Sequence, residues 1–131
     1  EINRAETNKQ IVEKVNKAFA DNNLEEFLAN CADSAVWNMV GEKTTSGKTA
    51  IRDWLAEMKD MDPPKFTVDQ LIAEGDSVAC CGDMTMKDQD GKLGRYSYCD
   101  VYRFSGGKIT ELRSFVVAHK TEGEKSGRAT A

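Results

Sequence analysis

Four strand-like segments fill the second half of the chain, and the turns between them are so short that neighbouring strands must pair antiparallel. The segments are Phe66–Ala73, Val78–Met86, Leu93–Phe104 and Ile109–Ala118. Glu74-Gly75-Asp76, Asp88-Gln89-Asp90-Gly91 and Ser105-Gly106-Gly107 separate them, each with hairpin composition. Asp62-Pro63-Pro64 comes before the first segment and stops any helix that reaches it. Upstream of that break the apolar spacing is helical. Ile11, Val15, Ala18 and Phe19 mark one helix, Leu24, Phe27 and Leu28 a short second, and Ile51, Trp54, Leu55 and Met58 a third. Asn3 with Glu6 has the spacing of a capping box, Asp21-Asn22-Asn23 ends the first helix, and Asn23 caps the second. Ala35 to Val40 reads as a short strand and Gly41 to Gly47 as a polar loop. The order helix, helix, strand, helix, four strands is that of an α+β domain. Strands this long curl, so the sheet is expected to wrap around the three helices as a cone whose mouth is a natural ligand pocket.

The 131 residues are expected to form one domain over positions 1–120, followed by a polar, flexible tail over 121–131. A net charge of −4 argues against nucleic acid or an anionic membrane as a partner. No apolar run approaches the ~20 residues of a membrane-spanning helix. Cys31, Cys80, Cys81 and Cys99 lack the spacing of a zinc site. They read as buried thiols of a reducing, cytoplasmic compartment, with the periplasm open because the chain begins at Glu1. No metal is expected, since there is one histidine, His119, and no clustered carboxylates.

The residue with most to say about chemistry is Asp100. In a strand, alternate side chains share a face, so Tyr96, Tyr98, Asp100, Tyr102 and Phe104 lie together and Asp100 is the one charge among them. A carboxylate among aromatic rings is costly unless paired or neutralised. It is either satisfied by a tyrosine hydroxyl or water, or kept for binding or proton transfer. Counting through Ser105-Gly106-Gly107 puts Leu112 opposite Asp100 and Ser114 diagonal to it, with Gly82 on its other side. Desolvation would raise the Asp100 pKa. A protonated acid would donate to an enolate-like oxygen, and an ionised one would abstract a proton next to a carbonyl. Tyr98, Tyr102, Cys80, Met84 and Met86 would form an apolar wall around a ligand, and Asn38 would offer it hydrogen bonds. Lys14 and His119 read as surface residues. The other face of the last two strands mixes apolar and charged side chains, from Arg95, Ser97, Cys99, Val101 and Arg103 to Ile109, Glu111, Arg113, Phe115 and Val117. That mixture suits a homodimer interface.

Several stretches resemble the nuclear transport factor 2-like superfamily, in its SnoaL-like and ketosteroid-isomerase-like branch, which is also a cystatin-like fold. They are Val15-Asn-Lys-Ala-Phe-Ala-Asp-Asn-Asn-Leu-Glu-Glu-Phe27, Cys31-Ala-Asp-Ser-Ala-Val-Trp-Asn-Met-Val-Gly41, Ser46-Gly-Lys-Thr-Ala-Ile-Arg-Asp-Trp54 and Cys99-Asp-Val-Tyr-Arg-Phe-Ser-Gly-Gly-Lys-Ile109. The resemblance implies a conical pocket for a small apolar or carbonyl-containing ligand, with no cofactor. It puts Asp100 at the acidic position that serves as acid/base residue in SnoaL-like cyclases and as an oxyanion-hole acid in ketosteroid isomerase. It also puts Asn38 where the isomerase has its general-base aspartate, and Lys14 where it has its oxyanion-hole tyrosine. Authentic steroid isomerisation is therefore not expected. An isomerase, cyclase or hydratase type of reaction is expected, or else a non-catalytic ligand-binding or dimeric interaction module on the same fold.

Overall fold

The helices and strands form where the apolar periodicity changes from helical to alternating. The computed structural model describes residues 4–58, 60–88 and 90–120. The proposed cap at Asn3 and the tail 121–131 lie outside the described residues. Helix α1 spans Arg4–Ala20 and buries Val12, Val15 and Ala18. Helix α2 spans Leu24–Ala29, and the Asn23 side chain caps it by accepting from the Glu26 backbone N–H at 3.3 Å. Strand β1 (Cys31–Met39) and strand β2 (Lys43–Ser46) follow, then helix α3 (Lys48–Glu57). The remaining strands are β3 (Lys65–Phe66), β4 (Gln70–Glu74), β5 (Ser77–Lys87), β6 (Leu93–Ser105) and β7 (Lys108–Ala118).

All seven strands form one curved, open, mixed sheet in the order β2-β1-β7-β6-β5-β3, with β4 also paired to β5. Among the described strands only β1 and β7 run parallel; the other pairs are antiparallel. This is the cone architecture expected from the element order. The core lies between the helices and the inner sheet face, where Val12, Val15, Phe27, Leu28 and Ile51 meet Val78, Tyr102, Ile109 and Leu112. Aromatic edges fix the helices to β1: Trp37 meets Trp54 of α3 at 5.1 Å and Phe27 of α2 at 5.4 Å.

Four local expectations change. The polar loop over 41–47 is half strand, because Lys43–Ser46 pairs back on Val36–Met39 as a hairpin. The first strand begins earlier, at Cys31, which pairs with Ile109 of β7. The expected strand Phe66–Ala73 is split. Between β3 and β4 the Thr67 and Asp69 amides still donate to β5, at 2.9 and 2.8 Å, but the Thr67 carbonyl turns onto the Tyr98 hydroxyl. Gly82 makes this possible, since a Cβ there would run into the Thr67 carbonyl oxygen. Met58, expected on the apolar face of the third helix, caps its C-terminus and stays exposed.

Candidate functional site

Counting alone misplaces the neighbours of Asp100, because the β6–β7 hairpin has two features that shift its register. Gly106 and Gly107 form a two-residue turn with φ of 57° and 80°, the signature of a type I′ hairpin. A bulge follows: Phe104 pairs with Ile109 but Arg103 with Glu111, leaving Thr110 extra. Together they bring Ser114, not Leu112, directly opposite Asp100, and put Leu112 beside Tyr102. The bulge also turns Ile109 into the core rather than onto the outer face. On the other side Asp100 faces Cys80, and Gly82 faces Tyr98.

Asp100 therefore sits between Cys80 and Ser114 on the inner face, with Tyr98 and Tyr102 along its own strand. Cys80, Tyr102, Leu112 and Ser114 are all buried, while Asp100 keeps partial exposure. Burial pushes its carboxyl up to about 6, and a hydrogen bond from the Ser114 hydroxyl pulls the other way. Ser114 is itself held, since its Oγ accepts from Trp37 Nε1 at 3.0 Å. A hydroxyl that accepts from the indole has its one proton left for the carboxylate. Trp37, packed between helices and sheet, thereby fixes one oxygen of Asp100 through Ser114.

The two tyrosines differ. Tyr98 donates to the Thr67 carbonyl at 2.7 Å, so its hydroxyl proton is already committed. The Tyr102 hydroxyl is fully buried and has no hydrogen-bond partner among the described residues. Such a donor lacks the hydrogen bond that normally compensates burial. Burial first, and then the negative charge of Asp100, raises the Tyr102 pKa well above the ordinary phenol value, so the proton stays on.

The other expected site residues divide by face. Met84 and Met86 lie on the inner face, paired with Tyr96 and Gly94. Asn38 does not belong to the site: it pairs with Arg113 in β7, on the face opposite Trp37 and Leu112, and its side chain accepts from Thr44 at 3.2 Å. Strand alternation puts Asn38 and Trp37 on opposite faces, and the ring contacts that hold Trp37 inside decide which face is which. Lys14 is exposed. Asn16, on the same helix, reaches the site instead, donating to Cys80 Sγ at 3.5 Å. Nothing in the local sequence separates Asn16 from other polar helix positions.

A second polar group forms near the far end of β6. Ser97 Oγ donates to Asp83 Oδ1 at 2.7 Å and lies 2.8 Å from His119 Nε2, so the histidine contributes the N–H in that pair. Asp83, Tyr96, Arg95, Phe66 and His119 line a half-open groove of about 250 Å³. His119 had no expected role; its involvement depends on the β6–β7 register, which a sequence count missed. Among the described residues no three His, Cys, Asp or Glu side chains gather as a metal site. No helix there is long and apolar enough to cross a membrane.

Many solved structures share this architecture, among them the following three. An NTF2-like protein of unknown function from Burkholderia pseudomallei is 19% identical, with 95% of this chain covering 98% of that one at a TM-score of 0.77. An LEH-like epoxide hydrolase from M. tuberculosis is 18% identical, with 87% and 85% covered and a TM-score of 0.78. A protein from Jannaschia sp. CCS1 described as a SnoaL-like polyketide cyclase is 16% identical, with 82% and 85% covered and a TM-score of 0.70. At these identities the likeness defines a class by fold, the NTF2-like cone. The chain belongs, more narrowly, to the SnoaL-like domain family, whose model matches residues 12–112. No functionally curated protein matches it.

Proposed function

We propose that the protein binds a small apolar carbonyl compound against Asp100 and uses that carboxyl as an acid/base group, without a cofactor. The reaction would be of isomerase, cyclase or hydratase type. The observation that carries this reading is a single carboxyl group raised to about 6, partly exposed amid buried neighbours and oriented by Ser114. A group with that pKa is mostly ionised at neutral pH and still returns a proton readily, as a general base must. The Tyr102 hydroxyl is the candidate donor to the ligand's carbonyl oxygen, since it holds a proton with no partner among the described residues. Leu112, Met84 and Met86 would supply apolar wall.

One observation favours a second reading, a non-catalytic ligand-binding or dimeric interaction module. Asn38 lies on the outer face and Tyr98 is committed to Thr67, so neither serves as a second acid/base group beside Asp100. A thermal-shift screen of small ketones and enones, with wild type beside Asp100→Asn, tests both. Ligand-dependent stabilisation lost in the variant, with turnover of the same compound, supports the enzyme. Binding without turnover supports the module, and equal shifts in both proteins reject Asp100 as the site.

We also propose a homodimer through the outer face of β6 and β7, supported by Val117, which leaves 66% of its surface exposed, beside half-buried Phe115 and Val101. A cytoplasmic location is the reading that four free cysteines support, with the periplasm as its alternative.

A further inference from the structure

The outer sheet face holds one pair of groups that the proposed chemistry does not use. Cys81 and Cys99 are direct cross-strand partners on β5 and β6. Their Sγ atoms lie 3.2 Å apart as free thiols, closer than two sulfur atoms in ordinary van der Waals contact. Both are half-buried in the single chain, so a small reagent has an edge to approach in the monomer, before the proposed dimer face covers Cys99. Directly opposite residues in an antiparallel ladder have Cα atoms roughly 4.5–5.5 Å apart, within the roughly 4.4–6.8 Å a disulfide spans. Bond formation needs the sulfurs to close by about 1 Å to the ordinary S–S length, without backbone rearrangement. The other cysteines lack this arrangement. Cys80 points inward, its thiol held by Asn16, and Cys31 is buried against the Phe27 carbonyl.

We propose that Cys81 and Cys99 are a disulfide site within one chain, open in a reducing compartment and closed by a low-molecular-weight disulfide such as oxidised glutathione. One thiolate attacks a sulfur of the small disulfide, breaking its S–S bond and releasing one small thiol. The second thiolate attacks the resulting mixed disulfide, forming the protein S–S bond and releasing the other small thiol. Two protein thiols are oxidised and one small disulfide is reduced to two thiols. Desolvation, then the neighbouring Cys81 thiol, pushes Cys99 up to about 11, so the exchange accelerates as pH rises above neutral. The bridge would join β5 to β6 next to the Cys80–Asp100 pair, holding the two strands that flank the acid in register.

The test equilibrates the purified, reduced protein with glutathione redox buffers from fully reduced to fully oxidised, then unfolds it in guanidinium with N-ethylmaleimide present, so that the buried thiols are alkylated with the rest. Intact mass should show two alkylations rather than four in the oxidised samples, on a chain that still runs as a monomer in non-reducing denaturing gels. Peptide mapping should link the Cys99 peptide to the one bearing Cys81. Cys81→Ser and Cys99→Ser should each abolish the bridge, and Cys80→Ala should keep it, which separates the two adjacent cysteines. The bridged protein should melt several degrees higher than the reduced one, a readout that needs no variant. Four alkylations in fully oxidised buffer, a bridge through Cys80 or Cys31, or bridges between chains only would each overturn the proposal.

Discussion

Asp100 and Tyr102 make opposite demands on the fold, and both demands can be measured. The Asp100 pKa is raised from 3.8 to about 6, chiefly by burial. Its protonation therefore favours the folded state fully below about pH 4, and that contribution is lost as pH rises through about 6. Wild type should lose up to about 3 kcal/mol relative to Asp100→Asn between pH 4 and pH 7.5, read by urea denaturation at the two values. If Asp100 is the base of the proposed reaction, kcat/KM should rise with pH around an apparent pKa near 6 and level off above 7. The same Asp100→Asn change should remove turnover. Tyr102→Phe tests the unpartnered hydroxyl. It should leave the ligand-free protein as stable as wild type or up to about 1 kcal/mol more so, because no hydrogen bond among the described residues is lost. It should also weaken binding of a carbonyl ligand. A loss of stability above 1 kcal/mol in the variant would mean that the hydroxyl has a partner after all. Asp100 was visible in the sequence because a charge on an aromatic strand face breaks the alternation rule. The reach of Asn16, and the orientation of Asp100 by Trp37 through Ser114, were not visible, since each joins elements distant in sequence.

At the scale of elements, two glycines decide where the site residues stand. Gly82 lets the Thr67 carbonyl come down onto Tyr98. Gly82→Ala should cost about 3 kcal/mol or more, because the obstacle is backbone that a rotamer change cannot clear. The Tyr98–Thr67 contact should loosen with it, visible as faster amide exchange over 67–69. Gly107 at φ 80° holds the β6–β7 turn. Gly107→Ala should cost roughly 1 kcal/mol in chemical denaturation, the usual penalty for a side chain at positive φ. The existence of β5, β6 and β7 followed from alternating side chains and turn composition, and their bounds are close to those expected. The register did not follow, because a two-residue turn and a bulge at Thr110 each shift pairing without altering any local apolar pattern. That shift replaced Leu112 by Ser114 beside the carboxyl, an apolar neighbour by one that hydrogen-bonds.

At the scale of the whole molecule, the mixed outer face of β6 and β7 carries the dimer prediction. Sedimentation at micromolar concentration should give a dimer, and Val117→Lys should raise its dissociation constant at least about tenfold, the effect of roughly 1.4 kcal/mol. A wild-type monomer at that concentration would remove the proposal. The sequence by itself determined that three helices precede a hairpin-rich sheet, that this sheet has an apolar inner face, and that Asp100 stands on it. Those properties rest on periodicity and turn chemistry, which act over a few residues. Only the tertiary structure decided that Asn38 faces away from the site, that Tyr98 is committed while Tyr102 is not, and that Cys81 meets Cys99. Each of these depends on which strands neighbour one another and in what register, and that is settled by packing between segments far apart in the chain.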